Sequence, residues 1–373
     1  MKQINHKTII QFIKQEFVLC IATILAIVSC AFVPISKKYL DYIDFRVLSL
    51  LFCLMLIVAG FRSIGFFDVL SEKLFHFTHS IRSTVMVFLL LCFFGSMLIT
   101  NDVALILFVP FSIFTLKKIL SPHQFILLII LETLAANLGS MFTPIGNPQN
   151  LYIFSTYEMD LFSFFKTMFP YTAVSFLLLL ASVFYFPKTV ISEHQIQHPK
   201  TNLKKYAFRY VCFTALFFIT LTTVLRITPF WLTLIICIFI TFFINRKLFS
   251  MVDYCLLLTF IALFIFVGNM GQIPWIQNTM GTLVSGNEIP VSIALSQGIS
   301  NVPATLLLSQ FTENGGKLLV GVNLGGLGTL IASMASLISY KFYVKEKESR
   351  GFTYFLLFSL LNVGFLTTLL LFC

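Results

Sequence analysis

The sequence has 373 residues, 58% of them hydrophobic and 11% charged, with a mean hydropathy of +0.94. Soluble chains are about 45–50% apolar and about 25% charged, so a soluble enzyme, a secreted disulfide scaffold and a disordered chain are excluded. The formal charge of +10, from 25 Lys and Arg against 15 Asp and Glu, sits in short loops, where it orients a membrane protein; no nucleic-acid-binding motif is present.

A spanning helix needs roughly 20 apolar residues. In chain order the apolar stretches are 17–35 and 46–61, then two arms, 83–99 and 103–116, around polar Thr100-Asn101-Asp102. Next come an interrupted run at 122–157 and spans at 166–186, 207–225, 228–244 and 252–268. Two short arms, 289–299 and 303–311, flank Ser300-Asn301. An interrupted run at 317–340 and a last span at 352–371 complete the series.

With the N-terminus inside and each arm pair entering and leaving on one side, 19 of the 25 Lys and Arg fall inside and 6 outside. Such a bias is the positive-inside signal. The expected architecture is therefore an all-α polytopic membrane protein with about nine transmembrane helices and two re-entrant hairpins, N-terminus cytoplasmic and C-terminus outside. The expected division is 1–61 for N-terminal helices, 62–187 for a first repeat, 188–206 for a cytoplasmic linker, 207–251 for connecting helices and 252–373 for a second repeat. Segments 62–81 and 270–288 are amphipathic and read as helices along the membrane surface.

The two halves resemble each other. Thr100-Asn101-Asp102-Val103-Ala104 aligns with Ser300-Asn301-Val302-Pro303-Ala304, and the nine residues from Asn137 to Ile145 align with those from Asn323 to Ile331, five of them identical. By the Lys and Arg count the first arm pair starts inside and the second outside, so the repeats are expected to be inverted. Irregular backbone in a bilayer survives where it lines a protein cavity, and inverted repeats with broken helices describe secondary transporters. Helix N-termini at the breaks offer N–H donors to an anion, and unwound carbonyls with Asn side chains suit Na⁺.

The tips, together with the run Asn137-Leu138-Gly139 through Thr143-Pro144-Ile145-Gly146-Asn147-Pro148-Gln149-Asn150, resemble the ion transporter superfamily. That group holds divalent anion/sodium symporters, citrate transporters, arsenite permeases and Na⁺/H⁺ antiporters, and the resemblance runs from about 45 to 371. It implies an elevator-type transporter in a bacterial plasma membrane, a homodimer, with the site at the hairpin tips. Carried over, Thr100 and Asn101 bind one Na⁺ and a substrate carboxylate, and Ser300 and Asn301 do the same in the second half. The interruptions at 139–147 and 323–329 supply backbone carbonyls and the hydroxyls of Thr143 and Thr329. Asn137, Gly139, Gly146, Asn147, Asn323 and Gly325 complete the candidate site. The third tip position departs from the symporter pattern. Asp102 and Val302 stand where symporters carry Thr, and Asn-Asp resembles the arsenite-permease branch.

Two carboxylates, Asp102 and Glu132, fall deep in apolar runs. An intramembrane acid is costly and is a functional candidate by default. Asp102 is therefore the first candidate for carrying the coupling proton or ligating the coupling cation, against a structural role capping the second arm. Glu132 is the second. No catalytic constellation or nucleotide-binding loop is present, so no enzyme and no cofactor are expected. The function expected is uptake of a small organic di- or tricarboxylate anion driven by Na⁺ or H⁺. Arsenite or oxyanion efflux and Na⁺/H⁺ exchange are the alternatives.

Overall fold

The computed structural model describes residues 16–191, 203–224, 227–347 and 349–372. Most of the 188–206 linker, and Lys2, Lys7, Lys14, Lys200 and Arg226, lie outside these. The described chain is helical, and six helices are long and apolar enough to cross a membrane. It is a multi-pass membrane protein.

Helices α1 (Phe17–Cys30), α2 (Tyr39–Tyr42), α3 (Phe45–Ser63) and α4 (Phe66–Phe77) open the chain. The first half continues with α5 (Ile81–Ile99), α6 (Asn101–Leu116), α7 (Pro122–Ser140), α8 (Pro148–Thr156) and α9 (Leu161–Val183). Connecting helices α10 (Leu203–Val224) and α11 (Phe230–Ile244) lead to α12 (Tyr254–Met270) and α13 (Pro274–Val284). The second half holds α14 (Glu288–Ile299), α15 (Asn301–Leu308), α16 (Gly315–Gly325), α17 (Met334–Val344) and α18 (Gly351–Leu370).

Three helices differ from the expected lengths. The arm expected at 83–99 is the 19-residue α5, as long as a full span. The span expected at 17–35 stops at Cys30, and its helix has 14 residues. The run expected to end at 340 continues to Val344, which carries Lys341 into the packed bundle, where it is 4% exposed.

Helix ends follow the local sequence. Ser80 and Ser121 form capping boxes with Ser83 and Gln124, and Pro122 takes the first helical position of α7, where no N–H is needed. Asp44, Asn147, Asp160, Asp253 and Asn314 each accept a backbone N–H at a helix start. The starts of α6 and α15 have no such side-chain cap.

The helices fall into two packing groups. In one, α3 packs on α10, α11 and α12, and α1 on α12. In the other, α5 packs on α6 and α7, and α14 on α15 and α16. The halves cross over within this second group: α6 lies on α17, and α15 lies on α8. The groups meet where α3 faces α6.

Ion pairs and loop contacts sort the helix ends. Lys117 bonds Glu346 at 2.6 Å, Lys345 bonds Asp253 at 2.8 Å, and Lys341 pairs with Glu16. All these residues sit at one end. At the other, Arg46 donates to the Thr223 carbonyl, and Tyr157 donates to the carbonyls of Ser309 and Thr312.

Close helix approach depends on glycine. A Cβ on Gly139 would overlap the Phe93 carbonyl oxygen of α5, whereas one on Gly298 meets nothing within 4 Å. Gly139→Ala is expected to lower the stability of the solubilised protein by about 1–3 kcal/mol through overpacking. Gly298→Ala is expected to be neutral or to stabilise by up to about 1 kcal/mol. Thermal unfolding in detergent compares the two; equal midpoints would contradict the α5–α7 contact.

Candidate functional site

The chain breaks twice between paired helices, and both breaks have the same geometry. Thr100 has φ 73° and ψ 155°; Ser300 has φ 71° and ψ 153°. Among the described residues just three non-glycines have positive φ, and these are two of them. The conformation is essentially reserved for glycine and costs roughly 1–3 kcal/mol elsewhere.

Each break is held in the same way. Asn101 N–H donates to the Gly146 carbonyl at 3.1 Å, and Asn301 N–H donates to the Ala332 carbonyl at 2.9 Å. Asn101 Oδ1 accepts from Asp102 N–H, and Asn301 Oδ1 from Val302 N–H, at 3.0 and 2.9 Å. Thr143 Oγ1 donates to the Met97 carbonyl, and Thr329 Oγ1 to the Gln297 carbonyl. The alignment that pairs Asn137 with Asn323 pairs Gly146 with Ala332, so every contact here recurs at its matched position.

The helix interruptions follow the same logic with different residues. Asn150 Nδ2 donates to the carbonyls of Ser140, Met141 and Thr143 at 3.0–3.2 Å. Its match in the second half is Ser336, too short for that task. There Gln297, on α14, donates through Nε2 to the carbonyls of Gly325 and Leu327, and its Oε1 accepts from Thr329 N–H. One amide therefore satisfies unpaired backbone at each interruption, which a dry interior demands.

Two polar clusters join the halves. Asn101 Nδ2 donates to Asn137 Oδ1 at 3.0 Å; the same oxygen accepts from Ser333 Oγ at 3.1 Å, and Asn137 Nδ2 donates to Ser336 Oγ at 3.3 Å. Reciprocally, Asn323 Nδ2 donates to Asn150 Oδ1 at 2.6 Å, and Asn323 Oδ1 accepts from Asn147 Nδ2 at 3.1 Å. Asn137 thus touches Ser333 and Ser336, while its match Asn323 touches Asn147 and Asn150, the matches of those serines. Each half contributes matched positions to the other's cluster.

Of the expected residues, Asn101, Asn137, Asn147 and Asn323 are brought into these clusters. Gly325 packs on Ser296, Gly146 on the Ser140 carbonyl, and Gly326 on the Asn301 amide. Ser300 Oγ is buried with no hydrogen-bond partner among the described residues. The Asp102 backbone N–H donates to Asn101 Oδ1, but its carboxylate makes no hydrogen bond or ion pair with the described residues. Glu132 is fully buried elsewhere, between α6 and α7, accepting from Ser112 Oγ at 2.8 Å, with Oε1 unpartnered. Sequence reasoning missed Asn150, Ser333, Ser336 and Gln297 as members of the site; Asn150 stood in the Asn147-Pro148-Gln149-Asn150 run but was not singled out. Extending the repeat alignment past Ile331 would have exposed the two serines.

A sequence profile of the CitMHS family, described as citrate transporter, matches residues 9–314. The chain belongs to the citrate transporter family. It is 35% identical over 316 residues to the inner membrane protein YbiR of Escherichia coli, covering 83% of each. It is 33% identical over 306 residues to the uncharacterized transporter MJ0456 of Methanocaldococcus jannaschii, covering 80% of this chain and 81% of that one. A shorter likeness of 33% over 130 residues links it to the mouse P protein, 15% of whose length is covered. The family match includes both strained tips and the first interruption; the second interruption lies beyond it.

Ser300→Gly removes an unfavourable φ and an unpartnered hydroxyl together. The strain of roughly 1–3 kcal/mol exceeds the entropic cost of glycine, about 0.5–1 kcal/mol. The variant is expected to unfold at higher temperature, by the equivalent of about 1 kcal/mol. Destabilisation would show that the tip backbone is not strained.

Proposed function

We propose that this membrane transporter is a secondary carrier of a small carboxylate anion, of the di- and tricarboxylate class, coupled to Na⁺ or H⁺. The observation that carries the proposal is the pair of matched tips, each a strained break at a helix start, facing a reciprocal network of Asn and Ser side chains. Strain of this kind persists where surrounding structure over-determines it and clusters at ligand sites. The helix starts at Asn101 and Asn301 direct the positive dipole end toward the tips. Side-chain oxygens of Thr100, Ser300 and the asparagines suit a coupling cation. No Lys or Arg takes part in the described clusters. A dianion would rely on neutral donors and the co-bound cation.

In this reading α5–α6 and α14–α15 are re-entrant hairpins of two inverted repeats. The group containing them moves as an elevator against the group built on α3, α10, α11 and α12. The end carrying Arg62, Lys117, Lys118 and Lys345 faces the cytoplasm, as the positive-inside rule requires, in the plasma membrane. The C-terminus is outside and two copies form a dimer. Asp102, whose carboxylate has no partner among the described residues, is the coupling group at the first tip; Glu132 is a second proton site.

Uptake of labelled citrate, succinate and malate into proteoliposomes tests this under a Na⁺ gradient and under a pH gradient. Gradient-driven uptake is expected. Asn101→Ala and Asn301→Ala should each lower it about tenfold or more, as loss of a hydrogen bond worth about 1.5–3 kcal/mol to a charged group implies. Asp102→Asn should abolish the dependence on the coupling gradient. No uptake under either gradient from folded protein would contradict the proposal and turn attention to oxyanion efflux or Na⁺/H⁺ exchange.

A further inference from the structure

Where α3 faces α6, at the end of the bundle that gathers the basic loops, the packing leaves a cavity of about 420 Å³. Its walls are apolar: Val58 and Ala59 of α3, Ile106, Ile113 and Phe114 of α6, and Phe342 of α17. Its mouth is charged, with Arg62, Lys117, Lys118 and Lys345 against Asp253 and Glu346. Both carboxylates are consumed, Glu346 by Lys117 and Asp253 by Lys345. Arg62 and Lys118, both exposed, have no carboxylate partner among the described residues. The cavity therefore combines a greasy interior with two cations at its rim that no described carboxylate pairs with.

That combination selects an occupant. A di- or tricarboxylate would lose its hydration against apolar walls with nothing polar there to replace it. An anionic phospholipid meets both halves of the site. Its phosphate and headgroup sit between Arg62 and Lys118, at the depth where basic side chains attract acidic lipid, and an acyl chain covers the walls. We propose that this cavity is a specific binding site for an anionic phospholipid of the adjoining leaflet, wedged between α3 and α6. The site lies at the junction of the two packing groups. Ile106, Pro110, Ile113 and Lys117 line one face of α6, and helical spacing places Asp102 one turn further along that face. A lipid held there rests against the same helix face that ends at the first tip. The proposal needs the membrane setting but no particular transported substrate.

Native mass spectrometry of the full chain tests it, after equilibration with vesicles of phosphatidylcholine and phosphatidylglycerol in equal parts. The chain is expected to retain one phosphatidylglycerol with about a tenfold preference over phosphatidylcholine, a difference of about 1.4 kcal/mol. Arg62→Gln with Lys118→Gln alters exposed side chains and should leave folding intact while bringing the preference to parity. Ala59→Leu, with its thermal unfolding checked, should displace the lipid by filling the cavity. Lys37→Gln with Lys38→Gln, remote from the cavity, should leave retention unchanged. An unaltered preference in the Arg62 and Lys118 double variant would overturn the proposal. So would equal retention of both lipids by the unmodified chain, or release of the lipid by succinate or citrate, which would make the cavity a vestibule for small anions.

Discussion

A helix cannot be interrupted inside a bilayer without stranding N–H and C=O groups that have no water to turn to. This chain interrupts its helices at two pairs of places, and most of its uncommon features answer that one difficulty. Asn150 bonds three carbonyls at the first interruption, and Gln297 bonds two at the second. Each tip N–H finds a carbonyl at the neighbouring interruption, Asn101 at Gly146 and Asn301 at Ala332. Glycine at 139, 146 and 325 lets the neighbouring backbone or Ser296 come close enough for these bonds to form. Because Asn137 and Asn323 reach into the opposite half, neither half is fully satisfied alone.

The same arrangement couples the two halves of the chain. The clusters at the tips are built from backbone ends and neutral amides, and their members come from both halves at once. A relative shift of the halves changes several bonds together. Buried ion pairs are costly to break, and Lys341, 4% exposed and paired with Glu16, ties α17 to the start of α1. Lys345 with Asp253 makes a second tie between the two packing groups, at the same end. In the proposed elevator movement these pairs must part or travel.

Much of this was legible in the sequence because it is local. Apolar run lengths marked the helices, and Asn-containing breaks repeated at matched positions. Five identities in nine residues fixed which residue of one half answers which residue of the other. What escaped was chemistry reassigned between positions. The amide that serves the second interruption comes from position 297, whose match is Met97, while the match of Asn150 is Ser336. Identity counting sees a mismatch at both places, although the backbone receives the same donor. Lys341 escaped because a charge next to an apolar run reads as a loop residue until the helix is seen to continue past it. Asp102 was grouped with Asn101 by adjacency, yet one residue along a helix turns a side chain about 100°, and its carboxylate makes no hydrogen bond within the asparagine clusters.

The central claim is that the halves interlock through side chains exchanged between matched positions. A double-mutant cycle on Asn323→Ala and Asn150→Ala, read from reversible unfolding in bicelles, measures that exchange directly. Polar pairs inside membrane proteins couple by about 0.6 kcal/mol on average and up to about 1.7. A coupling in the upper part of that range is expected for the 2.6 Å contact, with a similar sign for Asn137 and Ser336. Additive losses at both pairs would mean that the halves do not hold one another in this way.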